Sequence, residues 1–218
     1  MVAMKPRTQT ILEDLFIRYP GLSPCRRPME QALERIAACL RGGGKLLVCG
    51  NGGSAADAQH IVGELMKSFA RSRKPDEELC AKIADSYPET GRYVAMHLAG
   101  ARPALSFAGE SALMTAYSSD AAADLVFAQQ VFGHGREGDV LIAISTSGNS
   151  SNVLYAAQVA RVMGMEVVAM TGRDGGKLRR NCDVLLAAPE TETFKVQECH
   201  LPLYHALCLA LENEFFGE

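Results

Sequence analysis

Five short apolar runs, bounded by glycine, proline or charged residues, constrain the fold of this chain more than any other feature. The stretches between them are longer and carry apolar residues three and four positions apart, as amphipathic helices do. This alternation predicts an α/β fold, a three-layer αβα sandwich whose five-stranded parallel sheet has helices on both faces. In such sheets, ligands bind outside the carboxyl ends of the strands. The five runs are KLLVCG, PALSFAG, DVLIAIS, EVVAMTG and DVLLAAP.

The amino-terminal part of the chain predicts helices rather than strands. Residues 8–41 show helical spacing on both sides of the break YPGLSPCRRP, which indicates two amphipathic helices joined by a proline-rich turn. Glycines 42–44 are expected to end the second helix, because glycine tolerates the left-handed conformation found at helix ends. We interpret residues 1–218 as a single domain in which residues 1–44 supply the N-terminal helices.

A charged segment separates the helix after the first strand from the second strand. Residues from about 70 to 102 are dense in charges of both signs. Leu79, Ile83 and Tyr87 lie four residues apart within it, which is the spacing of one helix face. We therefore predict a surface insertion that contains a short amphipathic helix.

Composition and charge argue against several classes of protein. The net charge of -3 gives no basic footprint of the kind that nucleic-acid binding needs. The first residues do not resemble a secretory signal, and no apolar run reaches the roughly 18 residues of a membrane-spanning helix. We therefore expect a cytoplasmic protein with no membrane partner. The seven cysteines never form a C-x-x-C pair, which argues against a disulfide framework or a thiolate zinc site.

The first predicted strand leads into a glycine-rich loop, CGNGGSAADAQHIVGEL, at residues 49–65. We expect the strand to stop at Gly50 and Ser54 to cap the next helix, with Asp57 three residues later completing a capping box. The N–H groups and positive end of that helix would then face a polar oxygen or an anion. The loop matches neither G-x-x-x-x-G-K-[ST] nor G-x-G-x-x-G, so nucleoside triphosphates and dinucleotides are disfavoured.

A second polar loop, ISTSGNSSNVL, follows the third predicted strand at residues 144–154. Its hydroxyl and N–H groups precede a helix expected to start near Asn152, and it contains no lysine. This chemistry fits a compact phosphate monoester better than a triphosphate with magnesium. Two such loops in one sheet predict a phosphorylated ligand that spans them.

Potential metal ligands lie on the helix after the first loop and on the last helix of the chain. His60 and Glu64 are four residues apart and share a helix face. In TFKVQECHLPLYHALCLALENEFF, residues 193–216, helical periodicity pairs Glu198 with His205, and Pro202 is able to kink the helix. Nitrogen and oxygen donors of this kind suit zinc, or another divalent ion.

Four stretches of the sequence, taken together, resemble the phosphoheptose isomerases of the sugar isomerase (SIS) fold: CGNGGSAADAQHIVGEL, GDVLIAISTSGNSSNVL, MTGRDGGKL and VQECHLPLYHALC. The resemblance implies a homotetramer with active sites near subunit interfaces, N-terminal helices that pack in the oligomer, and one zinc ion per subunit. It also implies that Gln197, rather than Glu198, joins the ligands. The implied metal ligands are His60, Glu64, Gln197 and His205.

The same resemblance assigns substrate contacts. The phosphate would be held by hydroxyls of the second loop, and the sugar would meet the first loop and Gln197. The family also has an Asn-Asp pair after the second strand, for which Ser119 and Asp120 are the nearest equivalents here, with serine in place of the amide. The implied contacts of the two loops are Ser145, Thr146, Ser147 and Ser150 for the phosphate, and Asn51, Gly52, Gly53 and Ser54 for the sugar.

The implied reaction is the conversion of sedoheptulose 7-phosphate to D-glycero-D-manno-heptose 7-phosphate, a step toward lipopolysaccharide or other surface polysaccharides. Aldose-ketose isomerisation needs a base and an acid, for which we select Glu64 and His205. Whether the metal polarises the carbonyl or is structural stays open. The alternatives are an isomerase of another phosphosugar, or a non-catalytic SIS protein such as a sugar-phosphate sensor or the relative that associates with the replication initiator. The presence of both Glu64 and His205 favours an enzyme.

Overall fold

The computed structural model of the protein describes residues 4–217 and contains one five-stranded sheet. All neighbouring strands are parallel, and their order is β2-β1-β3-β4-β5. Each of the five predicted strands is confirmed. Their bounds are β1 Leu46–Gly50, β2 Ala104–Ser106, β3 Val140–Ile144, β4 Glu166–Thr171 and β5 Val184–Ala187.

Helices connect the strands, and most of them are longer than two turns. Short 3-10 segments occur at Pro20–Cys25, Ala123–Leu125 and Gly176–Arg180, and a π-helical turn lies at Ser118–Ala122. The α-helices are α1 Pro6–Arg18, α2 Arg26–Arg41, α3 Gly53–Met66, α4 Glu77–Ser86, α5 Gly91–His97, α6 Ser111–Tyr117, α7 Val126–His134, α8 Ser151–Val162 and α9 Thr193–Phe216.

The two faces of the sheet bury separate apolar cores. Along β1, Leu46 and Val48 point to a core shared with α1, α2, α3 and α9, while Leu47 and Cys49 point to a second core shared with α7 and α8. Successive residues of a strand face opposite sides, so a strand buried on both faces is apolar throughout. This arrangement confirms the predicted three-layer sandwich.

The N-terminal helices α1 and α2 form as predicted and join through the 3-10 segment. Gly42 follows the last residue of α2, and Gly43 has a φ of 82°, a value that glycine adopts without strain. The hydroxyl of Thr8 in α1 donates a 2.7 Å hydrogen bond to Glu214 in α9. The two ends of the chain therefore pack together on one face of the sheet.

The predicted insertion contains two helices, α4 and α5, which pack against each other. Asp76 caps α4 by accepting a 2.8 Å hydrogen bond from the N–H of Leu79. No residue of α4 is buried, so this pair lies on the surface as expected. The later helix α5 was not predicted. In α9, the helix continues through Pro202 without ending.

The order of the strands reverses direction between β1 and β3. From β1 the chain moves outward to β2, and then returns to the opposite side of β1 to form β3, β4 and β5. Ligands of open α/β sheets bind in the crevice at such a change of direction. The two polar loops follow β1 and β3, so they border this crevice.

Candidate active site

The turn after β1 differs from the predicted capping arrangement. Helix α3 begins at Gly53 and its N-cap is Gly52, which has a φ of 56° and no side chain to accept a hydrogen bond. The predicted N-cap at Ser54 is therefore wrong, because Ser54 lies inside the first turn of the helix and is buried. The capping box with Asp57 is absent for the same reason. The first turn of α3 consequently has no side-chain cap.

Helix α9 places Gln197 directly against this turn. A Cβ atom added to Gly53 would lie 2.6 Å from Gln197 Nε2, so only glycine leaves room for the amide. The neighbouring Glu198 is exposed. The structure thus brings Gln197 to the first loop and leaves Glu198, which helical periodicity had paired with His205, on the surface.

His60 and Glu64 of α3 meet His205 of α9. His60 Nε2 lies 3.2 Å from Glu64 Oε1 and 3.4 Å from His205 Nε2. The ring centroids of the two histidines are 4.9 Å apart and nearly perpendicular, at 82°. Burial and the neighbouring His60 lower the pKa of His205 below its ordinary value of 6.5. The nitrogen and oxygen donors of two helices therefore converge on one point.

Two cations that the sequence analysis did not select hold Glu64. Lys67 Nζ lies 2.7 Å from Glu64 Oε2, on the side away from His60. Arg73 Nη2 donates a 2.7 Å hydrogen bond to the backbone carbonyl of Glu64, and Nη1 donates to the carbonyl of Leu65. The side chain and the backbone of Glu64 are both fixed in this way.

Arg73 also joins α3 to α9 through a buried ion pair. Its Nε lies 2.7 Å from Glu212 Oε1, and both side chains are at most 2% exposed. The N–H groups of Phe69 and Ala70 donate to the same carboxylate. Burial acts to raise the pKa of Glu212, but these hydrogen bonds and Arg73 outweigh it, so the pKa lies below its usual value. The pair fixes the end of α3 against the helix that carries His205.

His200 of α9 has a structural position rather than a place in the site. Its ring is fully buried, and Nε2 lies 3.2 Å from the carbonyl oxygen of Thr171 at the end of β4. Burial lowers its pKa to about 4. His200 is therefore a neutral residue of the core rather than a metal ligand.

The second polar loop forms a compact turn between β3 and α8. Ser145 and Ser150 are joined by a 3.0 Å hydrogen bond between their hydroxyls. Gly148 has a φ of 64° and packs against the backbone of Gly175, where a Cβ atom would clash. Helix α8 begins at Ser151, one residue before the predicted start.

A cavity of about 230 Å³ opens beside this loop, and its lining includes Thr146, Ser147 and Arg173 as well as the acidic residues Asp174 and Glu190. Arg173 lies in the stretch MTGRDGGKL, and no role was predicted for it from the sequence. The two largest cavities, of about 720 and 680 Å³, lie beside α2 and contain none of the site residues. The hydroxyls and the guanidinium group of the cavity beside the loop are groups that bind phosphate.

An amide pair connects the two loops. Asn51 Nδ2 donates to Asn152 Oδ1, and Asn152 Nδ2 donates to Asn51 Oδ1, both at 2.9 Å. The turn after β1 and the start of α8 are thereby held together.

Ser119 and Asp120 lie apart from these contacts. Both are exposed in the π-helical turn Ser118–Ala122. In the part of the chain that the structure describes, no hydrogen bond or ion pair joins either residue to α3, α8 or α9. The structure therefore shows no polar contact between this predicted pair and the other site residues among the residues it describes.

The four predicted metal ligands come from two helices, α3 and α9. Within residues 4–217, no group of three or more His, Cys, Asp or Glu side chains has the arrangement of a complete metal site. Two pairs of potential ligand atoms do lie close together. His60 Nε2 is 3.2 Å from Glu64 Oε1 and 3.4 Å from His205 Nε2. Ligands about 2.0 to 2.1 Å from a tetrahedral zinc lie about 3.3 to 3.4 Å apart. The spacing of these two pairs therefore matches that of neighbouring zinc ligands, but the described residues do not form a complete set of ligands.

Comparison with known proteins begins with a family match. The model of the SIS domain matches residues 22–90 and 80–172, which is more than half of the chain. A SIS domain is thus the class of protein that this sheet and its two loops define. None of the helices between residues 4 and 217 has the length and apolarity that crossing a membrane requires.

Several relatives are similar over most of their length. The phosphoheptose isomerase of Rhodospirillum rubrum is 38% identical over 200 residues, which cover 92% of this chain and 91% of the relative. That of Neisseria gonorrhoeae is 40% identical, with coverages of 85% and 83%. The solved structure of phosphoheptose isomerase from N. gonorrhoeae has a TM-score of 0.70 and 35% identity, covering 95% of this chain and 92% of its own. The phosphoheptose isomerase structure from Francisella tularensis has a TM-score of 0.71 and 32% identity, with 86% of each chain covered. The chain belongs to the phosphoheptose isomerases, a family of isomerases.

Proposed function

We propose that the protein converts sedoheptulose 7-phosphate to D-glycero-D-manno-heptose 7-phosphate. The observation that carries this proposal is the meeting of His60 and Glu64 with His205 beside the turn at Gly53. An isomerase needs proton-transferring groups next to a place for the sugar, and this arrangement supplies both. The names of the relatives support the same activity.

Glu64 and His205 are the proposed base and acid. Glu64 takes a proton from carbon 1 of the ketose, next to the carbonyl, and His205 gives a proton to carbon 2. The hydroxyl on carbon 1 loses its proton as the aldehyde forms, and the oxygen on carbon 2 gains one. Lys67 holds the second oxygen of Glu64, so Oε1 is the oxygen that faces His60.

The two loops bind the rest of the substrate. We assign the phosphate to Ser145, Thr146, Ser147 and Ser150, and to Arg173, which lines the same cavity as Thr146 and Ser147. The sugar hydroxyls meet Asn51, Gly52, Gly53 and Ser54 near Gln197. Ser119 and Asp120 lie in an exposed segment. We propose that they contact the sugar after the two loops have bound it.

A zinc ion is part of the proposal. His60, Glu64, Gln197 and His205 would hold it, because imidazole nitrogen and carboxylate oxygen are donors that zinc accepts. When bound, zinc would act as a Lewis acid toward the carbonyl oxygen of the sugar. The chain's own residues would bind and orient the substrate and move the protons. A homotetramer with the N-terminal helices at its contacts and a cytoplasmic location complete the proposal.

A panel of ketose phosphates from five to seven carbons tests this function. The purified protein is incubated with each member, with and without a chelator, and aldose formation is followed. We expect turnover of the seven-carbon substrate, and its loss in chelator with recovery on adding zinc. Saturable binding without turnover of any member would instead indicate a sugar-phosphate sensor, and preference for a shorter ketose would indicate another phosphosugar isomerase.

A further inference from the structure

A cationic cavity of about 460 Å³ lies next to the second polar loop. It shares Asn149 with the smaller cavity assigned to the phosphate, but the two cavities differ in charge. The smaller one combines Arg173 with the carboxylates of Asp174 and Glu190, whereas no carboxylate among the described residues lines the cationic cavity. The charge of the cationic cavity therefore suits an anion. Its lining includes three cations and three amides, Lys177, Arg179, Arg180, Asn149, Gln158 and Asn181.

The three cations have donors available for such an anion. Lys177 and Arg180 are exposed, and neither side chain makes a hydrogen bond or an ion pair within residues 4–217. Arg179 donates from Nε to the carbonyl oxygen of Asp174 and from Nη2 to that of Arg173, and these bonds orient its guanidinium group without neutralising it. The positive charges of the three side chains are therefore not offset by ion pairs with described carboxylates.

Size and charge together indicate a ligand with two phosphate groups. The volume of the cavity lies within the range of about 300 to 1,000 Å³ found for small-molecule sites. Guanidinium groups bind phosphate oxygens through paired hydrogen bonds, and lysine adds a point charge. A phosphate monoester carries a charge of only about -1.5 to -2 at pH 7, so three cations match a diphosphate better. No aromatic side chain of the described residues lines the cavity, so recognition would depend on the diphosphate rather than on a stacked ring.

The segment that carries the cations is bonded directly to the second polar loop. The N–H of Lys177 donates a 3.1 Å hydrogen bond to Asn149 Oδ1, and Asn149 Nδ2 donates a 2.9 Å hydrogen bond to the carbonyl oxygen of Ser147. The N–H of Leu178 donates to the carbonyl oxygen of Gly148 at 3.0 Å. A diphosphate bound to Lys177 would bring negative charge close to Ser147, which is assigned to the substrate phosphate, and like charges repel.

We propose that the cationic cavity binds a diphosphate group and that its occupation weakens the binding of the substrate phosphate at the second polar loop. The binding of the diphosphate is independent of the proposed function, whereas its effect on the substrate rests on that function. A bound diphosphate raises KM and leaves kcat unchanged, because no residue of α3 or α9, which carry the proposed base and acid, lines the cavity.

Isothermal titration calorimetry with inorganic pyrophosphate tests the binding. We expect the double variant Lys177→Gln/Arg180→Gln to bind at least about tenfold more weakly than the wild type, the effect of losing one hydrogen bond to a charged group. Neither side chain makes a polar contact with the rest of the described chain, so the variant should keep its fold. Equal affinity of the wild type and this variant would overturn the inference.

The matched control is Lys82→Gln/Arg92→Gln, which removes the same charge from exposed positions of α4 and α5. Its affinity for pyrophosphate should equal that of the wild type. An equal loss in the control would show that pyrophosphate responds to the net charge of the protein rather than to the cavity, and would overturn the inference.

Inorganic phosphate and ADP identify the group that is bound. Phosphate should bind at least about tenfold more weakly than pyrophosphate, because it forms fewer hydrogen bonds with the cations. Equal affinities would overturn the assignment to a diphosphate. ADP and pyrophosphate are two sources of the same group. Binding of ADP that is weakened in Lys177→Gln/Arg180→Gln would support a nucleoside diphosphate as the source, and the same pattern with pyrophosphate alone would support the free ion.

Steady-state kinetics with sedoheptulose 7-phosphate test the effect on the substrate. Pyrophosphate that saturates the wild type should raise its KM at least about fivefold, the lower end of couplings between two sites, with kcat unchanged. The same concentration should leave the KM of Lys177→Gln/Arg180→Gln unchanged. An equal rise in the variant would show that pyrophosphate competes at the second polar loop and would overturn the coupling.

The outcomes distinguish this inference from the proposed function. If no ketose phosphate is turned over but pyrophosphate binds with the expected pattern, the isomerase fails and the diphosphate site stands. If turnover is normal and the wild type does not bind pyrophosphate, the inference alone fails.

Discussion

The two sides of the candidate site are built in different ways. On one side, α3 and α9 are joined by buried contacts, which include the ion pair of Arg73 with Glu212 and the contact of Tyr204 with His60. On the other side, the segment that carries Ser119 and Asp120 is exposed, and α6 has no buried residue. The proposed proton-transferring groups are thus held in place by the protein alone, whereas the proposed contacts of Ser119 and Asp120 would form only with a bound ligand.

The largest effect is expected on the side formed by α3 and α9, at the proposed base. Glu64→Gln keeps the shape of the side chain but removes its ability to take a proton, so we expect kcat to fall by about 100- to 10,000-fold. The measurement is aldose formation from sedoheptulose 7-phosphate. Glu198→Gln, in the exposed neighbour of Gln197, is the matched control and should leave kcat unchanged. A comparable loss in Glu198→Gln would restore the ligand pairing suggested by helical periodicity.

Breaking the buried ion pair should loosen this side and lower stability. Arg73→Ala leaves Glu212 buried without its cation, and removing one partner of such a pair costs about 3 to 5 kcal/mol in unfolding free energy. Urea denaturation followed by circular dichroism measures the change. Arg92→Ala, in the exposed helix α5, should change it by less than about 0.5 kcal/mol. Equal stability of the two variants would show that the pair does not fix α3 to α9.

The pH dependence of stability tests the buried side in another way. Burial lowers the pKa of His200 from 6.5 to about 4, so the folded protein holds it neutral. The contribution of His200 to the unfolding free energy is complete above pH 6.5 and is lost as the pH falls from 6.5 toward 4. Over this range the histidine takes up a proton in the unfolded chain but not in the folded protein. Between about pH 7 and about pH 5, the wild type should lose about 2 kcal/mol more unfolding free energy than His200→Gln. Parallel pH profiles of the two proteins would contradict this.

The smallest effect on stability is expected on the exposed side. Asp120→Ala should change the unfolding free energy by less than about 0.5 kcal/mol, because the side chain has no buried contact to lose. If Asp120 meets the bound sugar, KM should rise about tenfold, the effect of losing one hydrogen bond to a charged group. Asp124→Ala, a few residues further along and also exposed, is the control for both measurements. Unchanged KM in Asp120→Ala would remove this residue from the proposed site.

The central strands β1, β3 and β4 were predictable because a strand buried on both faces is apolar almost throughout. The edge strands β2 and β5 are only partly buried, but their short apolar runs also stand out from the helical spacing around them. The N-cap of α3 was not predictable in this way. Serine is a common N-cap, but Gly52 adopts the backbone conformation that starts the helix two residues earlier and leaves Ser54 buried. A local preference was overridden by the close packing of the turn.

The site was predictable in part for a similar reason. The four-residue spacing of His60 and Glu64 predicts a shared helix face. The choice between Gln197 and Glu198 depends on how α9 is rotated, and that rotation is set by the burial of Val196 and His200. Arg73 and Tyr204 act on residues of other helices, or on backbone carbonyls, so their roles depend on contacts that no spacing within one helix reveals.

The amide pair of Asn51 and Asn152 has a consequence for selectivity by ligand length. Because two reciprocal hydrogen bonds join the turn after β1 to the start of α8, the loops do not separate freely. In the proposed reaction, this connection would favour a ligand whose phosphate and reacting carbon are separated by the distance between the serine loop and Glu64.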